Sequence, residues 1–367
     1  MTRSRQLEVD ALFAKAEKRR ACLTLVSGKD RQLIRRRIAK GRAFAPLSGM
    51  YVRSGYWRAL SSEEMALHKA RALQQLHPSW IFCSTTAAIA HGLEISYEAM
   101  RTIHAGTKRL RPSSSSYRVA RHMLGDERHV DVAGIRVTPL DDTIFDCLRS
   151  MDFERGLAAA DSYLRLTGRT RADLIELIDS RKGGYAGIQQ ARITAAWADG
   201  RAENGGESVA RARMIEFGFM VPELQVWIDN HLDPGNPYRV DFRFLLPDGT
   251  MVVGEFDGSG KYSNSSMTRG ASPVKVMQRE RLRESRISLG GAVVMRFSYE
   301  ELMDDLFFIR LLTEFGIPRE CLARPVHARF AASPRPRPST ATRMMRRGQL
   351  QRRAVPGFTV ITAHIDR

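Results

Sequence analysis

The clearest hydrophobic pattern in the chain lies in residues 238–257, YRVDFRFLLPDGTMVVGEFD. Its first part alternates apolar and polar positions, which predicts a half-buried strand. Pro247-Asp248-Gly249 is typical of a tight turn, because proline presets φ and glycine tolerates positive φ. The second part is nearly all apolar and predicts a central strand. The pattern therefore predicts a β-hairpin whose second strand ends in two acidic residues, Glu255 and Asp257.

The predicted hairpin brings acidic residues together at one end. If the chain folds back at Asp248, Asp241 falls opposite Glu255, within one residue. Glu255 and Asp257 are two residues apart and therefore share a face of the sheet. Three carboxylates so placed repel one another and shift each other's pKa unless a cation lies between them. We expect a metal site at Asp241, Glu255 and Asp257.

A structural interpretation of these acids is also open. Asp257-Gly258 is then a turn, and Asp241 is an edge carboxylate paired with Arg239 or Arg243. This interpretation does not explain why an acidic residue ends an apolar central strand.

Helices and strands surround the hairpin in a defined order. A helix begins at Glu207, and the elements that follow are a strand over 221–228, the hairpin, a charged helix over 273–288, a strand over 292–297 and an amphipathic helix over 300–315. This α-β-β-β-α-β-α order predicts a mixed sheet with helices on its faces.

The N-terminal pattern predicts two helices, over 7–20 and 30–39, with Asp30 at the N-cap of the second and Gly41 after its end. A hairpin over 43–53 follows. Two helices and a hairpin are typical of a winged helix-turn-helix, whose second helix enters the DNA major groove. A basic helix can also be only a solvated face. The candidate DNA-binding residues are Arg31, Arg35, Arg36, Arg37, Lys40 and Arg53.

Residues 61–200 predict helices around a β-rich patch at 100–137, with a capping box opening at Ser61. Four histidines in this region have no short ligand spacing and no nearby cysteine. We therefore expect them to pack or form hydrogen bonds and not to bind a metal; they are His91, His104, His122 and His129.

Charge is concentrated at the two ends of the chain. The net charge is +18, and residues 1–60 alone carry 15 Lys and Arg against 4 Asp and Glu. Residues 319–367 carry 11 against 2, interleaved with proline, which is the composition of a disordered tail. Local basic clusters are typical of phosphate binding, although they also favour solubility.

The sequence has no apolar run long enough for a membrane span and no signal peptide, and its four scattered cysteines fit a reducing cytoplasm.

Residues 201–318 resemble the restriction-endonuclease-like fold of the PD-(D/E)xK nuclease superfamily. That fold has the same α-β-β-β-α-β order, an Asp on its second strand and an acid-x-Lys on its third. Asp241 matches the Asp, Glu255 matches the acid, and Glu207 lies on the preceding helix, where the family often has another acid. The VDF, EFDG and VVMRF segments are similar to those of very-short-patch-repair endonuclease relatives. The resemblance covers about 120 of 367 residues and implies a role in DNA repair or defence.

The resemblance implies Mg²⁺-dependent phosphodiester hydrolysis. Mg²⁺ between Asp241 and Glu255 would neutralise charge on the phosphoryl group and lower the pKa of a bound water. Asp257 stands where the superfamily usually has Lys, and is expected to be a third ligand or to orient the water. Lys261, four residues later, is the candidate to return an ammonium group that stabilises developing charge.

Residues 1–180 resemble the AbiEi-type antitoxins of abortive-infection systems. The segments that carry this resemblance are Gly49-Met50-Tyr51-Val52 in the predicted wing, residues 84–93 (STTAAIAHGL) and residues 137–146 (VTPLDDTIFD). Such proteins are DNA-binding regulators that repress their own operon and counter a nucleotidyltransferase toxin. The resemblance implies DNA and a cognate toxin as partners.

We therefore expect an α/β multidomain protein. Its predicted parts are a winged-helix DNA-binding domain at 1–60, an antitoxin-like α+β domain with a helical linker at 61–200, a restriction-endonuclease-like mixed sheet flanked by helices at 201–318, and a basic tail at 319–367. The expected function is DNA binding with Mg²⁺-dependent endonuclease activity. The alternatives are a non-catalytic regulator whose nuclease-like domain only grips DNA, and an interaction module that neutralises a partner toxin.

Overall fold

The computed structural model describes residues 3–24, 26–107, 118–125, 128–181, 183–258 and 273–319. These residues lie in one compact unit of mixed α/β structure. The predicted basic tail lies outside the described residues beyond Arg319, and the boundaries expected near residues 60 and 200 stay predictions. No helix in the described part of the chain is long and apolar enough to cross a membrane.

Two helices and a small hairpin form the N-terminal part: α1 (Arg3–Lys18), α2 (Gly28–Ala39), β1 (Ala43–Phe44) and β2 (Val52–Arg53), followed by a short helix, α3 (Ser54–Arg58). β1 and β2 pair antiparallel, as predicted. The N-cap of α2 is Ser27, whose hydroxyl accepts the N–H of Asp30, and not Asp30 itself. Gly41 has a φ of +67°, as expected just after the helix.

The middle of the chain is mainly helical. Its elements are α4 (Ser62–Leu76), α5 (Ser84–His91), a 3₁₀ turn (Ala99–Arg101), β3 (Ile103–Thr107), β4 (Val119–Met123), β5 (Val130–Val132), β6 (Ile135–Val137), α6 (Leu140–Ser150), α7 (Phe153–Thr167), α8 (Arg171–Asp179) and α9 (Ile188–Trp197). The predicted capping box is present, between Ser61 and Glu64. Within the predicted β-rich patch, β5 and β6 form a hairpin, whose turn at Ala133 and Gly134 has positive φ at both residues.

The C-terminal part holds the predicted mixed sheet. Its elements follow the expected order: α10 (Gly205–Glu216), β7 (Glu223–Ile228), β8 (Tyr238–Leu245), β9 (Met251–Asp257), α11 (Pro273–Leu289) and β10 (Val293–Ser298). The strand order is β10-β9-β8-β7, with β10 parallel to β9 and the other neighbours antiparallel. The predicted last helix is two helices, α12 (Tyr299–Met303) and α13 (Asp305–Glu314), because extended backbone at Asp304 interrupts it.

Two apolar cores anchor helices against the hairpin. The larger core joins α10 and α13 to the sheet, through buried side chains that include Met214, Phe242 and Phe308. A smaller core joins α11 to the sheet through Ile287 and Val253. These contacts fix the direction in which polar residues of α10 and α11 approach the acidic end of the hairpin.

A buried ion pair fixes α10 to α7. The side chains of Asp161 and Arg211 are 0% and 4% exposed, and one guanidinium nitrogen of Arg211 donates to both carboxylate oxygens at 2.9 and 2.8 Å. The backbone N–H of Asp199 also donates to Asp161, at 2.7 Å. Because α10 carries Glu207, this pair contributes to the placement of the candidate site.

A second charged cluster lies where α7, α10 and α13 meet. Arg213 donates to Glu154 at 3.3 Å and also pairs with Asp305. Burial raises the pKa of Glu216 to about 8, and the nearby Glu154 is the second cause. The protonated carboxyl of Glu216 therefore shares a hydrogen bond with Glu154 in the folded protein near neutral pH.

The raised pKa of Glu216 predicts a stability that falls as pH rises from about 4.5 to about 8, because the folded state holds a proton that the unfolded state has lost. Glu216→Gln keeps a hydrogen-bond donor without titrating, so this fall should become smaller. Urea midpoints at pH 5 and pH 8.5 measure it, with the exposed Glu314→Gln as control. An equal pH dependence in the Glu216→Gln and wild-type proteins would count against the assignment.

Candidate functional site

The two strands of the hairpin separate at their acidic end. The register between β8 and β9 ends with Phe242 opposite Gly254, and Asp241 and Glu255 are the next residues on the two strands. This agrees with the fold-back expected from the sequence. Asp241 Oδ2 accepts the backbone N–H of Phe256 at 2.9 Å. The Asp241 carboxylate thus lies where the strands part, a place we call the acidic fork.

A strained residue on β7 faces the fork. Gln225 has a φ of +53°, and the pairing between β7 and β8 skips it. Positive φ is unfavourable for a residue with a side chain and persists only where surrounding contacts hold it. Gln225 Nε2 donates to Glu207 Oε2 at 3.0 Å and to Asp241 Oδ1 at 3.3 Å. Its amide therefore bridges the carboxylates of α10 and β8.

Glu207 projects from the first turn of α10 towards the fork and is 3% exposed. Asn204 caps this helix, and its side-chain amide donates to Glu207 Oε1 at 2.6 Å. The backbone N–H of Glu203 donates to Oε2 at 2.8 Å. Burial raises the pKa of Glu207 to about 7, and the charge of Asp241 is the second cause. Glu207 therefore titrates near neutral pH, which suits a group that exchanges a proton.

Glu255 is buried beside a cation. Its residue is 7% exposed, and burial raises its pKa, an effect that the nearby Arg283 opposes. A guanidinium nitrogen of Arg283 lies 2.9 Å from Glu255 Oε1 and forms an ion pair with it. A metal ion that binds this oxygen therefore has to displace Arg283.

Asp257 is held away from the other acids. Arg296 of β10 donates to both of its carboxylate oxygens, at 3.0 and 2.6 Å, and also to Glu280 at 3.1 Å. This differs from the convergence of three carboxylates expected from the sequence, because a basic residue on the adjacent parallel strand compensates Asp257. We leave Asp257 out of the proposed ion site.

The oxygen donors at the fork fit a hard divalent ion. Asp241 and Glu255 supply carboxylates, and Mg²⁺ is commonly held by one or two carboxylates with several waters. Within the described ranges, no group of three or more His, Cys, Asp or Glu residues is arranged to hold a metal. The proposed ion site therefore consists of two carboxylates, those of Asp241 and Glu255. The other candidate of the resemblance, Lys261, lies outside the described residues.

The alternative partners expected for Asp241 are used elsewhere. Arg239 pairs with Glu203, and Arg243 pairs with Glu223 at 2.5 Å. Asp241 is therefore not an edge carboxylate neutralised by its neighbours on β8.

The predicted DNA-binding residues divide into two sets. Arg37 binds both oxygens of Asp10 at 2.6 and 3.0 Å, and Arg53 pairs with Glu17, so both bind acids of α1. The others have exposed side chains on or just after α2; they are Arg31, Arg35, Arg36 and Lys40. The exposed set presents positive charge along one helix, whereas Arg37 and Arg53 help to hold the hairpin and the two helices together.

Three of the four histidines considered in the sequence, His91, His104 and His122, form hydrogen bonds, as expected. His91 Nε2 lies 2.9 Å from the carbonyl of Thr138, and His104 Nδ1 lies 2.7 Å from His122 Nε2. Burial lowers the pKa of His104 to about 4, with His122 as the second cause. Both rings are therefore neutral at pH 7.

Three residues near the acids were not predicted: Gln225, Arg283 and Arg296. Only Arg283 has a signal in the sequence, because Ile287 lies one turn later and marks the face of α11 that packs on the sheet. Gln225 has a positive φ that no glycine or turn residue in the sequence indicates.

Two proteins from two strains of Mycobacterium tuberculosis, each called uncharacterized, are similar to this chain. Each is 32% identical to it over 163 residues, which is 44% of this chain and 58% of the relative. The chain thus spans little more than half the length of these curated relatives. No protein-family model matches the sequence. The comparisons assign no activity, so the functional argument rests on the residues described above.

Proposed function

We propose that the protein binds DNA and hydrolyses phosphodiester bonds at the acidic fork, with Mg²⁺ held by Asp241 and Glu255. The observation that carries the proposal is the register of β8 and β9. Its last pair is Phe242 and Gly254, so Asp241 and Glu255 are the next residues on the two strands, where the strands begin to separate. The burial of the Glu255 carboxylate supports it, because a buried carboxylate needs a cation beside it. The proposal includes the restriction-endonuclease-like fold for residues 201–318.

The residues around the fork have distinct roles in this proposal. When bound, Mg²⁺ supplies positive charge and lowers the pKa of a coordinated water. Gln225 holds the carboxylates of Glu207 and Asp241 in fixed positions. Glu207, with a pKa of about 7, is the group that accepts or returns a proton. Arg283 is the side chain placed to contact the phosphate as Glu255 turns to the ion.

A supercoiled plasmid incubated with the protein and Mg²⁺ tests the proposal. We expect nicked or linear DNA, and no product in EDTA. Absence of cleavage by the wild-type protein, with Mg²⁺ or with Mn²⁺, would remove the catalytic claim.

The second candidate function is a non-catalytic DNA-binding regulator of the AbiEi antitoxin type. The observation that favours it is the compensation of the acids by protein groups: Arg283 lies beside Glu255, and Arg296 binds Asp257. In that case the protein binds its own promoter without metal. A co-purifying toxin would support the third class, a toxin-neutralising module.

Both functions use the N-terminal helices to bind DNA, which we propose form a winged helix with α2 in the major groove. Arg35→Ala should weaken duplex binding about tenfold and reduce the log–log salt slope by about 1, because one phosphate contact is lost. Arg310→Ala, which removes an exposed charge from α13, is the matched control. Titrations at several salt concentrations measure both values, and an equal slope for the two variants would contradict this role of α2.

A further inference from the structure

Trp227 is a large apolar side chain left in solvent on the edge of the sheet. β7 is the last strand in the order β10-β9-β8-β7, and Trp227 is 62% exposed. The large flat ring of tryptophan is an apolar surface that favours contact with another ring, and tryptophan is enriched at binding interfaces.

The tryptophan lies close to the acidic fork. The register pairs Trp227 with Arg239 across β7 and β8. Arg239 precedes Asp241 by two residues and shares its face of the strand, which corresponds to about 6.6–6.8 Å along the strand. In a stacked nucleic-acid strand, successive phosphate groups are about 3.4 Å apart along the helix axis. Because Trp227 lies on the neighbouring strand, ~4.7–4.9 Å from β8, its backbone is about 8 Å from that of Asp241. The tryptophan is therefore about two to three nucleotides from a phosphate at the fork.

Two arginines lie between Trp227 and the fork. The guanidinium carbon of Arg239 lies 5.8 Å from the centre of the Trp227 ring, and Arg239 pairs with Glu203. Arg283 donates to the carbonyl of Arg239 at 2.5 Å and pairs with Glu255 at 2.9 Å. An exposed aromatic ring beside guanidinium groups matches a base and its phosphate.

We infer that Trp227 is a stacking site for an unpaired base of a DNA strand whose phosphate lies at the acidic fork. In a duplex the base faces are covered by neighbouring pairs, so the ring reaches only a base outside the stack. The substrate class is therefore single-stranded DNA, or duplex DNA with a single-stranded segment. This inference rests on the proposed function for the position of the phosphate, but its test requires no cleavage.

The test measures binding by the full chain with Ca²⁺ in place of Mg²⁺, because Ca²⁺ also takes carboxylate oxygens and keeps a cation at the fork. The two ligands are a labelled 12-nucleotide oligo-dT and a 12-base-pair blunt duplex. Trp227→Ala should weaken oligo-dT binding by about 5- to 150-fold, the equivalent of ~1–3 kcal/mol for one stacked base. Duplex binding through α2 should not change, which also shows that the variant is folded. Trp227→Phe should restore most of the affinity, and Leu232→Ala, which removes another highly exposed apolar side chain, should have no effect.

Unchanged oligo-dT binding by Trp227→Ala would overturn the inference. A shift in oligomeric state with unchanged oligo-dT binding would do so as well, and would identify the surface as a protein contact. Failure of the plasmid cleavage assay has a different meaning, because binding with Ca²⁺ does not depend on hydrolysis.

Discussion

Asp241→Asn is expected to lower Mg²⁺-dependent plasmid cleavage by on the order of 10²–10³, while DNA binding in EDTA stays unchanged. The amide keeps the size of the carboxylate and an oxygen that accepts the N–H of Phe256. It removes the negative charge that we propose holds the ion, and losing one preorganised electrostatic group at a reacting centre has an effect of this size. Rates of nicking with saturating Mg²⁺ measure the change.

Two controls make this expectation specific to the acidic fork. Glu223→Gln removes an exposed acid from the neighbouring strand, and its rate should match that of the wild type. Asp257→Asn should lower the cleavage rate far less than Asp241→Asn, because Asp257 is paired with Arg296 and lies outside the proposed ion site. Equal losses for Asp257→Asn and Asp241→Asn would return Asp257 to the site. Wild-type rates for Asp241→Asn would exclude the fork as the place of catalysis.

Asp161→Ala is expected to lower the free energy of unfolding by about 3–5 kcal/mol, because it leaves the buried guanidinium of Arg211 without its counter-charge. Both side chains are almost fully buried, so solvent does not screen the pair. Burial raises the pKa of Asp161 and Arg211 opposes this effect, which shows that the carboxylate depends on its partner. Urea unfolding followed by circular dichroism measures the loss.

The double variant Asp161→Leu, Arg211→Met tests whether the loss comes from the unpaired charge. Since both charges are absent, it should be more stable than Asp161→Ala alone, although Asp199 and Trp197 lose hydrogen-bond partners. A double variant less stable than Asp161→Ala would show that the pair itself supplies the stability. A loss below about 1 kcal/mol for Asp161→Ala would contradict the expectation for a buried pair.

Much of the fold could be predicted because local patterns determine it. The alternation of residues 238–245, the turn at Pro247-Asp248-Gly249 and the apolar run after it give β8 and β9 with the expected fold-back. Short-range hydrogen bonds explain the Ser61 capping box in the same way. The cap of α2 was misplaced, because Ser27 and Asp30 are both good capping residues and only the backbone geometry distinguishes them.

The sequence by itself determined that Asp241 and Glu255 lie together. The hairpin register brings their positions opposite each other, and the side-chain period of two residues puts both on one face of the sheet. It also determined that exposed basic residues lie on α2. Only the tertiary structure decided which cations face these acids. Arg283 reaches Glu255 through the packing of α11, and Arg296 reaches Asp257 through a parallel strand contact. Gln225 and the raised pKa of Glu207 depend on burial between β7 and α10, which no local pattern encodes, because desolvation is a property of the assembled core.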